Sequence, residues 1–471
     1  MRPACPAFNY RTSFAGGPAL WAGRFNDIPH LTSARTGNPG LHYSFIAIID
    51  ETYSKEPIFS RKAIMQKPVL RSDLQPVTTF VNGRRMIAFH DPYQLTDKKI
   101  AIDMHLLPLL QLLDGRHDLR DIQMGLMKRQ DGRIVYISEI ESLIEQLDQA
   151  CILNSESFQR KMYQLRAEFI NRKNRLPVHA GKSYMSEPEA LAQFIQNVEN
   201  NLKPLNTENT QDSITGILAP HIDINIASST YVNTYRHLKG KHYDLVIILG
   251  VNHQNQDGLY SVSEKNYITP FGEIQTDRAF ITELKRKMPE GALSSDDFGH
   301  KTEHSIEFQT IFLQYFLKGP FEMVPILCGS VHEFIFQRIN LFADYRFLEM
   351  VHGMETLIRE SKSRVLIVAG VDLSHVGLKF GDSLPASSIL PRARSNDRTI
   401  LSILTKDEPE KILHHAIETQ DQYHICGLPA ILLLARLLRK NRADIIQFET
   451  YDEQATQSAV NYASMIFSAS P

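Results

Sequence analysis

Between Ile214 and Phe467 the chain repeats one pattern: a short apolar run rises, ends in polar residues, and gives way to a longer stretch with helical spacing. The runs are GILAPHIDI, YDLVIILGVNH, EMVPILCG, RVLIVAGVDLSH, ADIIQFETYDE and AVNYASMIFS. Runs this short and this continuously apolar mark strands buried on both faces, and such strands need helices to cover each face. The pattern predicts a three-layer α/β/α domain over 212–471.

A chain of 471 residues exceeds what one core organises, so further domains are expected upstream. The polar stretch NNLKPLNTENTQDS at 200–213 marks the boundary. Residues 171–211 read as a linker and a helix, the helix over Glu187 to Asn200. Residues 65–170 read as a small α+β domain. In MQKPVLRSDLQPVTTFVNGRRMIAFHDPYQL an Asn-Gly dipeptide separates two alternating runs and predicts a hairpin. From Ile100 to about Leu165, apolar residues three and four apart predict short helices around an Asp-Gly turn. This arrangement resembles the small winged-helix modules of the PqqD type, which recognise peptides and occur beside radical-SAM systems. The other reading is a helical addition that only packs. Residues 1–64 are rich in Gly, Pro, Ser and Arg and lack sustained periodicity apart from Phe45 to Ile49, so they are expected to be disordered. The more regular texture that opens at Met65 makes that residue the expected true start, with 1–64 a non-native extension.

Composition narrows the function classes. A 43% hydrophobic and 22% charged chain is ordinary for a globular protein, and no apolar run is long enough to cross a bilayer. With 51 basic against 53 acidic residues the chain lacks the positive footprint of a nucleic-acid binder. Neither nucleic acid nor membrane is an expected partner. Cys5, Cys151, Cys328 and Cys426 stand alone rather than in Cys-x-x-Cys pairs, which excludes a disulfide framework or zinc ribbon and fits a reducing cytoplasm.

Three of the predicted strands end in a cluster containing histidine: APHID at His221, GVNHQ at His253, and GVDLSH at Asp372, Ser374 and His375. Carboxyl ends of strands in an open α/β sheet converge on one crevice, so these residues can share a site. In KTEHSIEFQ, Glu303 and His304 head a helix whose Ile306, Ile311 and Phe312 face inward, with Glu307 one turn after Glu303. In YHICGLPAILLLARLL, Cys426 precedes an apolar helix. A thiol there has its thiolate favoured by the helix dipole, which suits a metal ligand or a nucleophile. Taken singly, each of these residues also has a purely structural reading.

The ordered series APHID, LGVNH, EHSIEFQ, DLSHVG, HICG and SAVNYA resembles the Memo family over roughly 212–468. That family is similar in fold to class III extradiol dioxygenases (LigB-like), and the arrangement with an upstream domain resembles protein B of the AmmeMemoRadiSam system. The resemblance implies a metal site at His221, His253 and Cys426, with Fe2+ the expected ion and copper or zinc alternatives, because thiolate replaces the carboxylate usual in dioxygenases. It implies His375 as a general acid or base, Asp372 as a group that orients a ring nitrogen or a polar substrate, and Glu303 and His304 lining the same cavity as supporting or substrate-binding groups. It also implies a small-molecule or peptide substrate, with radical-SAM and AMMECR1-like proteins as partners. Gln254 stands where the family often has a second histidine, and Ile222-Asp223 replaces a common Gly-Tyr, so the pocket wall differs. Asp223 would add a carboxylate near the metal or bond to a ligand. The expected function is a metal-dependent, dioxygenase-like oxidoreductase; the competing readings are a non-catalytic metal-binding or adaptor protein and a zinc-type hydrolase.

Overall fold

The computed structural model describes residues 46–48, 65–81, 84–93, 95, 100–129, 134–205, 213–254 and 257–469. They form two compact units, the smaller ending at Phe169 and the larger running from Ile170. Apart from 46–48, the expectation for 1–64 falls outside the described residues.

The smaller unit carries an antiparallel sheet of β1 (Ile46–Ile48), β2 (Gln75–Val81), β3 (Arg84–His90) and β4 (Ile100–Asp103), in the order β1-β4-β3-β2. Val81 faces Arg84, which leaves two residues for the turn, as the Asn-Gly pair requires; the turn itself lies outside the described residues. Ile100 to Asp103 was expected to open the helical region. It forms a strand instead, because Ile102 and Ala101 find ladder partners in Ile87 and Ala88. Helices α1 (Leu119–Arg129) and α2 (Ile137–Gln149) follow. Ile122, Ile140, Ile144 and Leu147 pack with Ile102, Leu106 and Leu109 into a core of this unit's own.

In the larger unit the strands are β5 (Asn174–Arg175), β6 (Ile214–Ala219), β7 (Leu245–Val251), β8 (Tyr260–Val262), β9 (Asn266–Thr269), β10 (Gly272–Thr276), β11 (Glu322–Cys328), β12 (Val365–Gly370), β13 (His375–Gly377), β14 (Asn441–Glu453) and β15 (Ser458–Ala469). They run in the order β13-β15-β6-β12-β7-β11-β10-β9-β5, with β14 paired to β15 and β8 to β11. The central β6, β12, β7 and β11 are mutually parallel. All six apolar runs of the sequence are strands of this sheet. The short β8, β9 and β10 and the two-residue β5 carry no run long enough to have announced themselves.

Alternate residues of the central strands feed two separate cores. Leu245, Ile247 and Leu249 join one, and Val246 and Ile248 the other. The second core also takes α3 (Pro188–Asn200) and α4 (Ile224–Tyr235). The first takes α5 (Arg278–Lys287). Helix α6 (His304–Phe316) belongs to the second, with Ile306, Ile311 and Phe312 buried as the sequence predicts. Helices α7 (Tyr345–Ser361) and α8 (Ala386–Thr405), together with α9 (Pro409–Thr419) and α10 (Leu428–Leu437), belong to the first. The result is a mixed α/β unit with a mostly parallel central sheet covered by helices on both faces. No described helix is long and apolar enough to cross a membrane.

Gly370 closes β12 where the strand meets the first turn of α6. A Cβ at that position would lie 2.2 Å from the Ser305 carbonyl oxygen. Gly370→Ala is expected to lower unfolding free energy by ~1–3 kcal/mol through overpacking. Denaturant titration followed by circular dichroism checks this; an unchanged midpoint would refute the close-approach account.

Candidate metal centre

Because β6, β7 and β12 are parallel, the residues following them leave the same edge of the sheet. His221 follows β6 by two residues, His253 follows β7, and Asp372 follows β12. Cys426 reaches them from the residue before the N-cap of α10. Ligand atoms of His221, His253 and Cys426 all lie within 4.8 Å of one another, and Cys426 Sγ is 3.3 Å from His221 Nε2.

Both imidazoles are held by the nitrogen that faces away from this cluster. His221 Nδ1 donates to the Gly370 carbonyl at 2.9 Å, which leaves Nε2 as a lone pair beside the thiol. His253 Nδ1 donates to Glu303, 2.9 Å from Oε2 and 3.1 Å from Oε1. His253 Nε2 is buried and has no hydrogen-bond partner. An imidazole whose one nitrogen is anchored to a carboxylate or carbonyl and whose other nitrogen is left bare is the arrangement that metal-ligating histidines show. His253 Nε2 is closed to water, but a metal–nitrogen bond of about 2.1 Å is shorter than any water contact, so that burial is compatible with an ion held between the three ligand atoms. The donor set present therefore fits a metal.

Glu303 is the N-cap of α6, and its Oε1 accepts the Ser305 N–H at 2.9 Å. Burial pushes this carboxyl up, but His253, His304 and the Ser305 N–H hold it well below the usual range, so it is ionised. His304 Nδ1 lies 3.4 Å from Glu303 Oε1, and its ring stacks on that of His253 at 5.1 Å. Burial keeps His304 neutral. Asp372 Oδ1 accepts the His221 backbone N–H at 3.0 Å, and Oδ2 stands 3.6 Å from His221 Nε2. Burial raises the Asp372 carboxyl and depresses His221.

His375 donates Nδ1–H to the Leu373 carbonyl at 2.9 Å and rests its ring edge against Phe380. Burial lowers its pKa to about 3, so the ring is neutral at pH 7 and Nε2 accepts. Cys426 departs from the expectation of a dipole-favoured thiolate. Burial, and after it the Asp372 carboxylate, push its thiol well above the ordinary value, outweighing the helix end. Asp223 departs too. It is the N-cap of α4 and accepts from Asn225 N at 2.8 Å, so its carboxylate serves that helix.

Two supporting groups escaped the sequence reading. One is Asp397 in α8, which accepts from Ser374 Oγ at 2.5 Å and from Asn461 Nδ2 at 2.7 Å and so fixes the turn that presents Asp372 and His375. The other is Arg175 in β5, fully buried, which donates to the Glu303 carbonyl at 2.8 Å, to the His300 carbonyl at 3.1 Å and to the Glu307 carboxylate. Tyr184 and the His179 backbone N–H also donate to Glu307. A solitary Arg and Tyr in a stretch read as linker gave no signal; the one hint was Glu307, an acid on the apolar face of α6.

The larger unit is thus an α/β unit in which two histidines and a cysteine converge beyond the carboxyl ends of parallel strands. A family model described as "Memo-like protein" matches residues 175–466, and the chain belongs to that family. A MEMO1 family protein of Aquifex aeolicus (strain VF5) is 32% identical over 405 residues, covering 85% of this chain and 100% of the relative. MEMO1 family proteins of Methanosarcina mazei and Methanopyrus kandleri are 31% and 24% identical, each covering 98% of the relative and 60% and 62% of this chain. The Aquifex match is longer than the larger unit, so it extends into the smaller one.

Arg175→Met would leave Glu307 charged and buried without its cation, and is expected to cost ~3–5 kcal/mol in denaturant unfolding. A loss below ~1 kcal/mol would show that the Tyr184 and His179 donors suffice. The folded-state pKa of His375 lies below its unfolded value of 6.5, so its contribution is present above pH 6.5 and lost as pH falls toward about 3. His375→Gln should flatten that acid-side loss in thermal melts between pH 6.5 and about 4; an identical slope in the variant would contradict the buried neutral assignment.

Proposed function

We propose that this Memo-like protein is a mononuclear metal enzyme in which His221, His253 and Cys426 hold Fe(II), working as a dioxygenase-like oxidoreductase on a small-molecule or peptide substrate. The observation that carries the reading is the buried, partnerless Nε2 of His253, on a ring anchored by Glu303, next to an equally anchored His221 and a thiol. Bound there, Fe(II) would supply one-electron redox capacity and open positions for substrate, and the soft thiolate would let copper or zinc compete. Glu303 and the Gly370 carbonyl set the ring orientations. The neutral His375, with Nε2 accepting, is suited to take a proton from substrate rather than to give one. Asp372 supports His221, while His304 and Glu303 shape the wall beside them.

The remaining parts of the proposal follow from the resemblance. The smaller unit, with its antiparallel sheet and several helices, is read as a winged-helix, PqqD-like module, and the partners as radical-SAM and AMMECR1-like proteins. A reducing cytoplasm suits the free, buried Cys151, Cys328 and Cys426.

The test is elemental analysis of full-length protein purified without oxygen, beside the His221→Ala, Cys426→Ala double variant. About one iron per chain is expected in the wild type and none in the variant. Because the Cys426 thiol must ionise and His253 Nε2 must be bare, binding should release up to about two protons, so affinity rises with pH. Full stoichiometry in the variant, or none in the wild type, would overturn the reading.

A further inference from the structure

On one side of the ligand set lies a cavity of about 50 Å³ that the reading above does not use. Its inner wall is His253 and Cys426; the rest comes from Asn252, from Ser330 and His332 after β11, and from Asp421 and His424 before α10. At roughly 10–15 Å³ per water position it holds about four, the size of a small polar head group.

The loop that forms its outer wall is strained. Gln420, Asp421 and His424 have φ of 53°, 44° and 53°, a left-handed backbone that non-glycine residues rarely adopt. Such strain persists only where the surroundings hold it, and it collects at ligand sites. Here the holding group is Asp421. Its Oδ1 accepts the Ile425 N–H at 3.1 Å and its Oδ2 accepts from His332 Nε2 at 3.1 Å.

That engagement also sets the polarity of the cavity. Among the described residues Asp421 is the one carboxylate lining it, and both of its oxygens are taken. Beside the lining residues, Asp382 lies 4.0 Å from His424 Nε2 with its Oδ2 accepting the Gly377 N–H, and Glu303 is spent on His253 Nδ1 and the Ser305 N–H. Asn252 is nine-tenths or more buried; its Oδ1 accepts the Gln254 N–H at 3.3 Å, which fixes the amide so that Nδ2 is the free end, and Nδ2 has no acceptor. An unpaired buried donor costs free energy, so Asn252 Nδ2 marks where an acceptor belongs. The N-terminal end of α10, with Leu428 and Pro429 on the wall, adds a positive field. A cation would meet no unspent carboxylate, and an apolar head would leave Asn252 Nδ2 unsatisfied.

We infer that this cavity is the substrate subsite, taking a compact carboxylate head on Asn252 and His424, beside the Asp421-bound His332, and presenting the atoms attached to it to the His253 and Cys426 side of the metal centre. The inference deepens the metal-centre reading and rests on it for the role, though not for the binding itself.

The experiment titrates acetate, with acetamide and ethylammonium as neutral and cationic controls, into full-length protein with 13C-labelled histidine, followed by NMR. Metal-free and Co(II)-treated samples are run in parallel for wild type, His424→Gln and Asn252→Asp. Acetate should shift the His332 signal, present in every sample, and the His424 signal saturably in both wild-type samples, with acetamide weaker and ethylammonium inert. Each substitution should weaken acetate binding about tenfold or more. Shifts that persist in both variants, shifts seen only with Co(II), or no saturable shift at all would overturn the subsite. If Co(II) is not taken up while acetate still binds the metal-free protein, the metal reading fails and the subsite stands. If Co(II) binds and acetate does not, the subsite fails alone.

Discussion

The Glu303 carboxylate is the group on which the site depends. It ends the loop before α6 by capping it, receives the Nδ1 proton of His253, and lies beside His304. One buried anion thus decides where a helix begins and how an imidazole is turned. Burying such an anion is costly without compensation. The compensation comes from the His253 donor, the Ser305 N–H and the adjoining imidazoles, all of which are residues of the site. Fold and site are held by the same bonds, so neither can be varied freely without the other.

The contrast between the two histidine anchors is informative. His221 leans on a backbone carbonyl and His253 on an ionised side chain. A carboxylate anchor makes the ring more electron-rich than a carbonyl does. The two nitrogens facing the thiol are therefore unequal donors, and an ion between them would sit in an asymmetric field before any substrate arrives.

Much of this was legible in the sequence because the signals were long or repeated. Six apolar runs gave the core of the sheet, and polar residues at the ends of three of them gave His221, His253 and the Asp372 to His375 turn. The family motif series supplied the third position, Cys426. What stayed hidden was short or cooperative. Ile100 to Asp103 is too brief to show a period and takes its conformation from its neighbours. Cys426 was read by its helix end, but depth of burial and Asp372 control its proton. Asp223 looked like an additional ligand, yet its own backbone two residues on had the first claim. Arg175, Tyr184 and Asp397 act through partners more than a score of positions away, which no local pattern reveals.

The buried Arg175 bears on how such proteins are assembled in evolution. The strap from Asn174 to Asn200 precedes the first long strand of the sheet, yet its guanidinium reaches the carbonyl of the residue that caps α6. The heritable module therefore begins at the strap rather than at the first core strand, and the family match starts at residue 175. A recombination event that cut the gene between the strap and β6 would deliver His221, His253 and Cys426 without the buried guanidinium that supports Glu303 and Glu307. Fusions to different upstream partners are expected to spare that junction.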